Sequence, residues 1–389
     1  MKTVLFGLKM DTNLGDYLIG YNLQKILSDR FPDDVFAYED LKGRENDSKI
    51  KTNFIACVLI KLSSMLKSSS LCNVLEKAAF YQNNRRIKRF YKNILKDANT
   101  VVFAGGGLIE CEHYGCHQYI HLITKICEQQ GINIIYNAVG FNGEYKDTNG
   151  YRVLKECLNS KFVKAVSVRE NIEELRKYTN CSATLVCDPA CYCSRTYDES
   201  GDVEPRKKEG RKVGIGLIRP DIFQEFDLNL SAEDIEDVYI SIVKKLEENN
   251  IDFEFFTNGV EADLKFGEKI NRVLKTDYCI RVPQYDVDFM DIIQSFHAIV
   301  CARMHACIVS YSYNIPAINI CWNVKLKHFF HNIGFEDRCF IPDKNNTQLI
   351  IEKLMSVIGG DCDNEKRKEY MSSLMEFLEQ NRNFFTNDP

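Results

Sequence analysis

The chain has 389 residues, 27% of them charged and 45% hydrophobic, with a formal net charge of −5. That length accommodates two domains with separate cores, and the slight acidity excludes a general polyanion binder, so nucleic acid is not expected as a partner. The 16 cysteines are scattered through apolar runs of a chain too large to depend on disulfides, and they read as reduced, buried thiols of a cytoplasmic protein.

Residues 3–8 read as a first apolar strand, which meets Lys9 and Asp11 too early for a signal peptide. Asn13-Leu14-Gly15-Asp16 follows and opens a helix with Leu14, Leu18, Leu23, Ile26 and Leu27 at helical spacing. Gly15 lets the backbone approach a ligand, while Asn13 or Asp16 can cap the helix or accept a bond from a sugar hydroxyl. Asp16, past the turn, is the better general-base candidate. Segment 40–98 has helical periodicity and basic residues but no convincing strand, as a helical elaboration of the first domain would. Within it, residues 54–66 and Arg85-Arg86-Ile87-Lys88-Arg89 read as a core helix followed by a solvated basic face. The competing reading is peripheral contact with an anionic membrane. No run approaches the roughly 20 apolar residues needed to cross one.

Strand 101–104 runs directly into Gly105-Gly106-Gly107, whose backbone N–H groups are expected to face an anion or a sugar. The spacing is not G-x-G-x-x-G and no acidic ribose partner follows, which disfavours a nicotinamide dinucleotide. Cys111, His113, Cys116 and His117 are too compressed to close a tetrahedron, and Cys187, Cys191 and Cys193 read as buried thiols, so no metal is expected. Strands 132–139, 165–168 and 183–186 come next, and the last two offer Arg169 and Asp188 from neighbouring strand ends toward a cleft. The polar, charge-dense stretch 194–211 marks a domain boundary.

Beyond it, strands 212–217, 253–257, 298–301 and 317–320 alternate with helices. The whole is an α/β pattern of two Rossmann-like domains with parallel sheets, divided as 1–195 and 210–362, with a terminal helix and tail over 363–389. Arg219 and Asn258 stand just past the first two of these strands. The third leads into Ala302-Arg303-Met304-His305, which sets a guanidinium and an imidazole between a strand end and a helix N-terminus. Open α/β sheets bind ligands there, and helix N-termini attract anions. Lys325 follows the fourth strand, so three or four cations are expected to converge on one crevice.

These motifs resemble those of the polysaccharide pyruvyl transferase family. The resemblance spans nearly the whole chain and rests on Asn13 to Asp16, Gly105 to Gly107, Ser167-Val168-Arg169-Glu170, Asp188-Pro189, the strand from Gly214 to Arg219 and, most specifically, Ala302 to His305. It implies a glycosyltransferase-B-like arrangement with an N-terminal acceptor side and a C-terminal donor-binding domain. The implied reaction moves pyruvate from phosphoenolpyruvate to a glycan or lipid-linked sugar as a cyclic ketal, in capsule or other cell-surface polysaccharide synthesis. It needs no cofactor and belongs in the cytoplasm, at or near the inner face of the membrane. In that scheme His305 is the acid or the leaving-phosphate partner and Asp16 the base. Arg303, Lys325, Arg219 and Asn258 hold the donor; Asn13, Gly15, Gly105, Gly106, Gly107, Arg169 and Asp188 line the acceptor side or cleft. The chain departs from the common pattern at Ala302, where serine is frequent, and through segment 40–98. Two other readings compete: a nucleotide-sugar-dependent glycosyltransferase, and a non-catalytic glycan-binding protein of an envelope-assembly complex.

Overall fold

The computed structural model describes residues 1–11, 13–44, 86–111, 115–141, 148–197, 211–225, 230–358, 360 and 362–387. Two six-stranded sheets organise them. The first holds β1 (Lys2–Gly7), β2 (Val35–Asp40), β3 (Thr100–Ala104), β4 (Asn133–Val139), β5 (Val163–Val168) and β6 (Ala183–Leu185), in the order β2-β1-β3-β4-β5-β6. The second holds β7 (Val213–Gly216), β8 (Phe253–Phe256), β9 (Ile280–Arg281), β10 (Ala298–Cys301), β11 (Ala317–Ile320) and β12 (Cys339–Phe340), in the order β12-β11-β10-β7-β8-β9. All pairings are parallel.

Strands β3, β7, β10 and β11 are buried along their whole length. Helices cover both faces of a parallel sheet, so its central strands read as unbroken apolar runs. The sequence reading missed β2, β9 and β12, and each is an edge strand. In β2 every second residue is buried and Val35 is exposed, while β9 and β12 are only two residues long. The apolar run of β2 is only Val35-Phe36-Ala37-Tyr38 and ends in Glu39-Asp40, and the other two are too short to offer one.

Strand order reverses between β1 and β3 in the first sheet and between β7 and β10 in the second. Ligands of open α/β sheets bind at such switch points, outside the carboxyl ends of the strands. The loops there carry Asn13, Gly105, Arg219 and Arg303, which is why residues so distant in sequence compete for the same space.

One apolar cluster joins the two halves. It contains Leu5, Val102 and Ile135 of the first sheet, Phe256 and Ile299 of the second, and Leu374 and Phe377 of the terminal helix Glu365–Gln380. That helix returns to the first sheet: Ser373 Oγ accepts from Cys187 N at 3.0 Å, Glu379 pairs with Arg30, and beyond the helix Phe385 stacks on Phe31. Within the proposed elaboration 40–98, residues 86–94 are helical and bury Tyr91, whereas 45–85, including the candidate membrane contact 54–66, lie outside the described residues. So does 198–210 of the boundary stretch. Among the described residues no helix is long and apolar enough to cross a membrane.

Candidate functional site

The helix Leu14–Arg30 starts directly above the switch point of the first sheet, and Asn13 caps it by accepting from Gly15 N at 3.3 Å. The Asn13 amide also donates to Asp16 Oδ2 at 3.0 Å, fixing that carboxylate. The helix Met304–Ser312 starts at the switch point of the second sheet, with Arg303 at its N-cap. The two starts meet face to face. A Cβ built on Gly15 would lie 2.3 Å from the His305 ring, so only glycine lets the helices approach this closely. Both helices direct the positive ends of their dipoles toward this meeting point.

His305 is 6% exposed. Its Nε2 is 3.5 Å from Arg169 Nη1 and 3.9 Å from Asp188 Oδ2. A guanidinium only donates, so a hydrogen bond between the two requires Nε2 to accept, as it does in the neutral ring. Burial, the largest influence, pushes its pKa below the ordinary histidine value; Asp188 and Asp16 oppose the shift and Arg169 reinforces it. Asp16 moves the other way. Burial raises its carboxyl above the usual range against the pull of His305. The two shifts share one cause, since burial disfavours the charged form of each group.

Arg169, at the end of β5, is buried between two carboxylates: Nε is 3.2 Å from Glu170 Oε2 and Nη1 is 2.5 Å from Asp188 Oδ2. Asp188 is held in turn as the cap of the turn Pro189–Tyr192, accepting from Ala190 N at 2.9 Å. Lys325, at the start of the helix Val324–Asn332, reaches to 3.9 Å from Glu170 Oε1, and burial lowers its pKa to about 8. Arg303 pairs side-on with Asp263, Nε–Oδ2 at 2.9 Å and Nη2–Oδ1 at 2.7 Å. Asp263 is fully buried and also accepts from Arg219 N at 2.9 Å.

The expected cationic crevice therefore needs correction. Arg169, Lys325 and Arg303 do gather at the two switch points, but each faces a buried carboxylate. Of these partners, sequence reading gave a role only to Asp188. Glu170 is adjacent to Arg169 and was legible; Asp263 lies inside the helix Glu261–Leu274 with no local signal.

The glycine run also differs from expectation. Gly105 N donates to Asn137 O at 2.7 Å and so is not presented to a ligand, and Gly106 O accepts from Gly140 N. Positive φ values of 53° and 70° and the contact of Gly105 with Ile19 explain the glycines by packing. Gly106 remains beside the site, its Cβ position 3.9 Å from Asp16 Oδ1; Gly107 is buried next to it. The Asn258 backbone carbonyl accepts from Leu14 N across the two halves, at 3.4 Å. Its side chain is 1% exposed, with neither amide atom bonded among the described residues, and Asn137 is in the same state. Buried amides seldom stay unpaired unless a ligand or water meets them.

Cys111 and His117 both approach Gly150, and His113 lies outside the described residues. Among the described residues all cysteines are free and no three candidate ligands gather as a metal group. A cavity of about 470 Å³ lies away from this chemistry, between Tyr192, Arg195 and the terminal helix.

The sequence profile described as polysaccharide pyruvyl transferase matches residues 13–323, a span that contains Asn13, Asp16, Arg169, Asp188, Asp263, Arg303 and His305 and stops just short of Lys325. The chain belongs to the polysaccharide pyruvyl transferase family. It is accordingly a transferase of polysaccharide modification. No curated protein matches this pyruvyl transferase family member by sequence. Its structure is similar to that of a putative UDP-N-acetylglucosamine 2-epimerase from Listeria monocytogenes, with a TM-score of 0.60 at 10% identity over 100% of this chain and 97% of that one. It is also similar to S. aureus MnaA solved with UDP, at 0.57 and 10% over 100% and 98% of the two chains. The UDP-GlcNAc 2-epimerase of Methanocaldococcus jannaschii gives 0.54 and 11% over 98% and 99%. These likenesses establish the glycosyltransferase-B arrangement of two Rossmann-like sheets.

Proposed function

We propose that this family member transfers pyruvate from phosphoenolpyruvate to two hydroxyls of a glycan or lipid-linked sugar, forming a cyclic ketal for cell-surface polysaccharide on the cytoplasmic side of the membrane. The observation that carries the reading is the buried His305 imidazole, held where two switch points and two helix starts meet, with Asp16 and the Arg169–Asp188 pair around it. The donor sits against the second half, residues 210–362, and the acceptor against the first, residues 1–195.

Phosphoenolpyruvate brings a phosphate and a carboxylate into a site whose cations already face carboxylates. Arg303 keeps its fork aligned by Asp263, and Lys325, Arg219 and the unpaired Asn258 amide complete the donor contacts. The added negative charge raises the His305 pKa, so donor binding takes up a proton. His305 then protonates the methylene carbon while one glycan hydroxyl attacks C2 and passes its proton to Asp16; the C=C π pair becomes the new C–H bond. A second hydroxyl forms the other C2–O bond as the C2–O–phosphate bond breaks. Phosphate departs with that bonding pair, and the second hydroxyl's proton leaves through His305, now a base. Asn13 holds Asp16, Arg169 and Asp188 hold His305, and Gly15, Gly105, Gly106 and Gly107 allow the close approach.

The test is phosphate release from phosphoenolpyruvate with a panel of glycosyl acceptors. Acceptor-dependent release that is lost in His305→Gln supports the reading. A nucleotide-sugar glycosyltransferase would share the two-sheet arrangement, but it would be protected from proteolysis by a uridine or guanosine diphosphate sugar and not by phosphoenolpyruvate.

A further inference from the structure

Asp16 is followed by an aromatic row that the chemistry above does not use. Tyr17 and Tyr21, one helical turn apart, stack with centroids 5.4 Å apart and planes 16° from parallel. Tyr197 continues the row at 5.7 Å from Tyr21. All three are half-buried, and among the described residues neither the Tyr17 nor the Tyr21 hydroxyl has a hydrogen-bond partner. The Tyr197 hydroxyl donates to Asp286, at the start of the helix Asp286–Gln294 in the second half. Asp286 also acts on Tyr17: burial is the larger cause, and together they push that phenol up to about 12, so it stays a hydroxyl donor across the working pH range. The adjoining Tyr285 is 66% exposed.

The inner edges of the three rings pack on the apolar cluster that joins the halves, and their open edges leave a stacked aromatic surface next to Asp16 in the chain. A pyranose matches both features. One face of such a ring is a sheet of C–H groups that packs on aromatic surface, while its rim of hydroxyls seeks phenols and carboxylates. The row starts at the residue after Asp16 and ends at a carboxylate, which disfavours acidic sugars and suits neutral ones.

We propose that Tyr17, Tyr21 and Tyr197 form a subsite for a neutral pyranose of the glycan, holding it so that its hydroxyls reach Asp16. Calling that sugar the acceptor rests on the pyruvyl transfer proposed above; the binding of a sugar to the row does not.

The test is saturation-transfer NMR with methyl glycosides of neutral hexoses, run on the wild type, Tyr21→Leu and Tyr21→Phe, alongside calorimetric titration with phosphoenolpyruvate and a thermal melt of each. At least one glycoside should receive saturation on its ring C–H protons. Tyr21→Leu should weaken that binding about tenfold, and Tyr21→Phe much less, because the ring face is the main contact. Donor affinity and melting should be unchanged in both variants. No transfer to any glycoside, transfer undiminished in Tyr21→Leu, or an equal loss in both variants would overturn the subsite. So would a Tyr21→Leu protein that also loses donor affinity or stability, since the row would then be structural packing. Sugar binding without pyruvyl transfer would sink the reaction and leave the subsite standing.

Discussion

Replacing Gly15 by alanine tests whether the meeting of the two helix starts is real and functional. In an isolated helix the change is favourable by about 1 kcal/mol, because glycine is the poorer helix former. Here the new Cβ would lie 2.3 Å from Cγ and Nδ1 of His305 and 2.4 Å from its Cβ. Ordinary contact begins near 3.4 Å, so the imidazole or the helix must move by roughly 1 Å, a displacement that can cost about 10²-fold in rate when it misplaces a reacting group. Overpacking of this kind also costs about 1–3 kcal/mol, against which the helix gain is set. Stability by urea denaturation should therefore drop by no more than about 2 kcal/mol, while turnover in the phosphate-release assay falls about 10²-fold. The His305–Arg169 contact of 3.5 Å is the first to open. Normal turnover in a folded Gly15→Ala protein would mean that Gly15 and His305 are apart in the working state, and the assembled site described above would be wrong.

Three further outcomes follow from the charge pairs. Asp263→Asn leaves Arg303 with a neutral partner in a largely buried position, which should cost about 3 kcal/mol in urea denaturation and weaken phosphoenolpyruvate binding about tenfold in calorimetry; unchanged donor affinity would remove Arg303 from the donor site. Lys325, lowered to about 8, carries its charge below that pH and loses it above, so donor affinity should fall as pH rises from 8 to 9. Lys325→Arg, charged throughout, should flatten that profile, and the same decline in both proteins would clear Lys325 of the role. His305, neutral when free and charged against a bound anion, should make donor binding at pH 7 take up a proton. Calorimetry in two buffers of different ionisation enthalpy should show the uptake in wild type and not in His305→Gln, and its absence in wild type would exclude the charging step.

Buried β3 and β10 were legible in the sequence because both their faces are covered, and the strand-end motifs they lead into were legible with them. The residues from Asn13 to Asp16, Arg169, Asp188, Arg303, His305 and Lys325 could be named because a motif at a strand end has few other places to be. What escaped was set by tertiary partners. Edge strands β9 and β12 are two residues long and form because a neighbour offers them hydrogen bonds, and the apolar run of β2 is only four residues before Glu39 and Asp40. Asp263 enters the site from the first turn of a helix, and its meaning depends on Arg303, 40 residues later. The N–H of Gly105 was expected to face a ligand, but the carbonyl of Asn137 on the adjacent strand takes it. The downward shift of the His305 pKa likewise follows from burial where the two halves meet, reinforced by Arg169 from the other sheet, a contact no local pattern announces.

Whether these residues place pyruvate on a glycan is tested directly by mass spectrometry of glycan acceptors incubated with the protein and phosphoenolpyruvate. An acceptor should gain one pyruvate less one water, with release of an equal amount of phosphate, and neither change should occur with His305→Gln. An acceptor that stays unmodified with phosphoenolpyruvate yet gains a sugar from a nucleotide-sugar donor would contradict it.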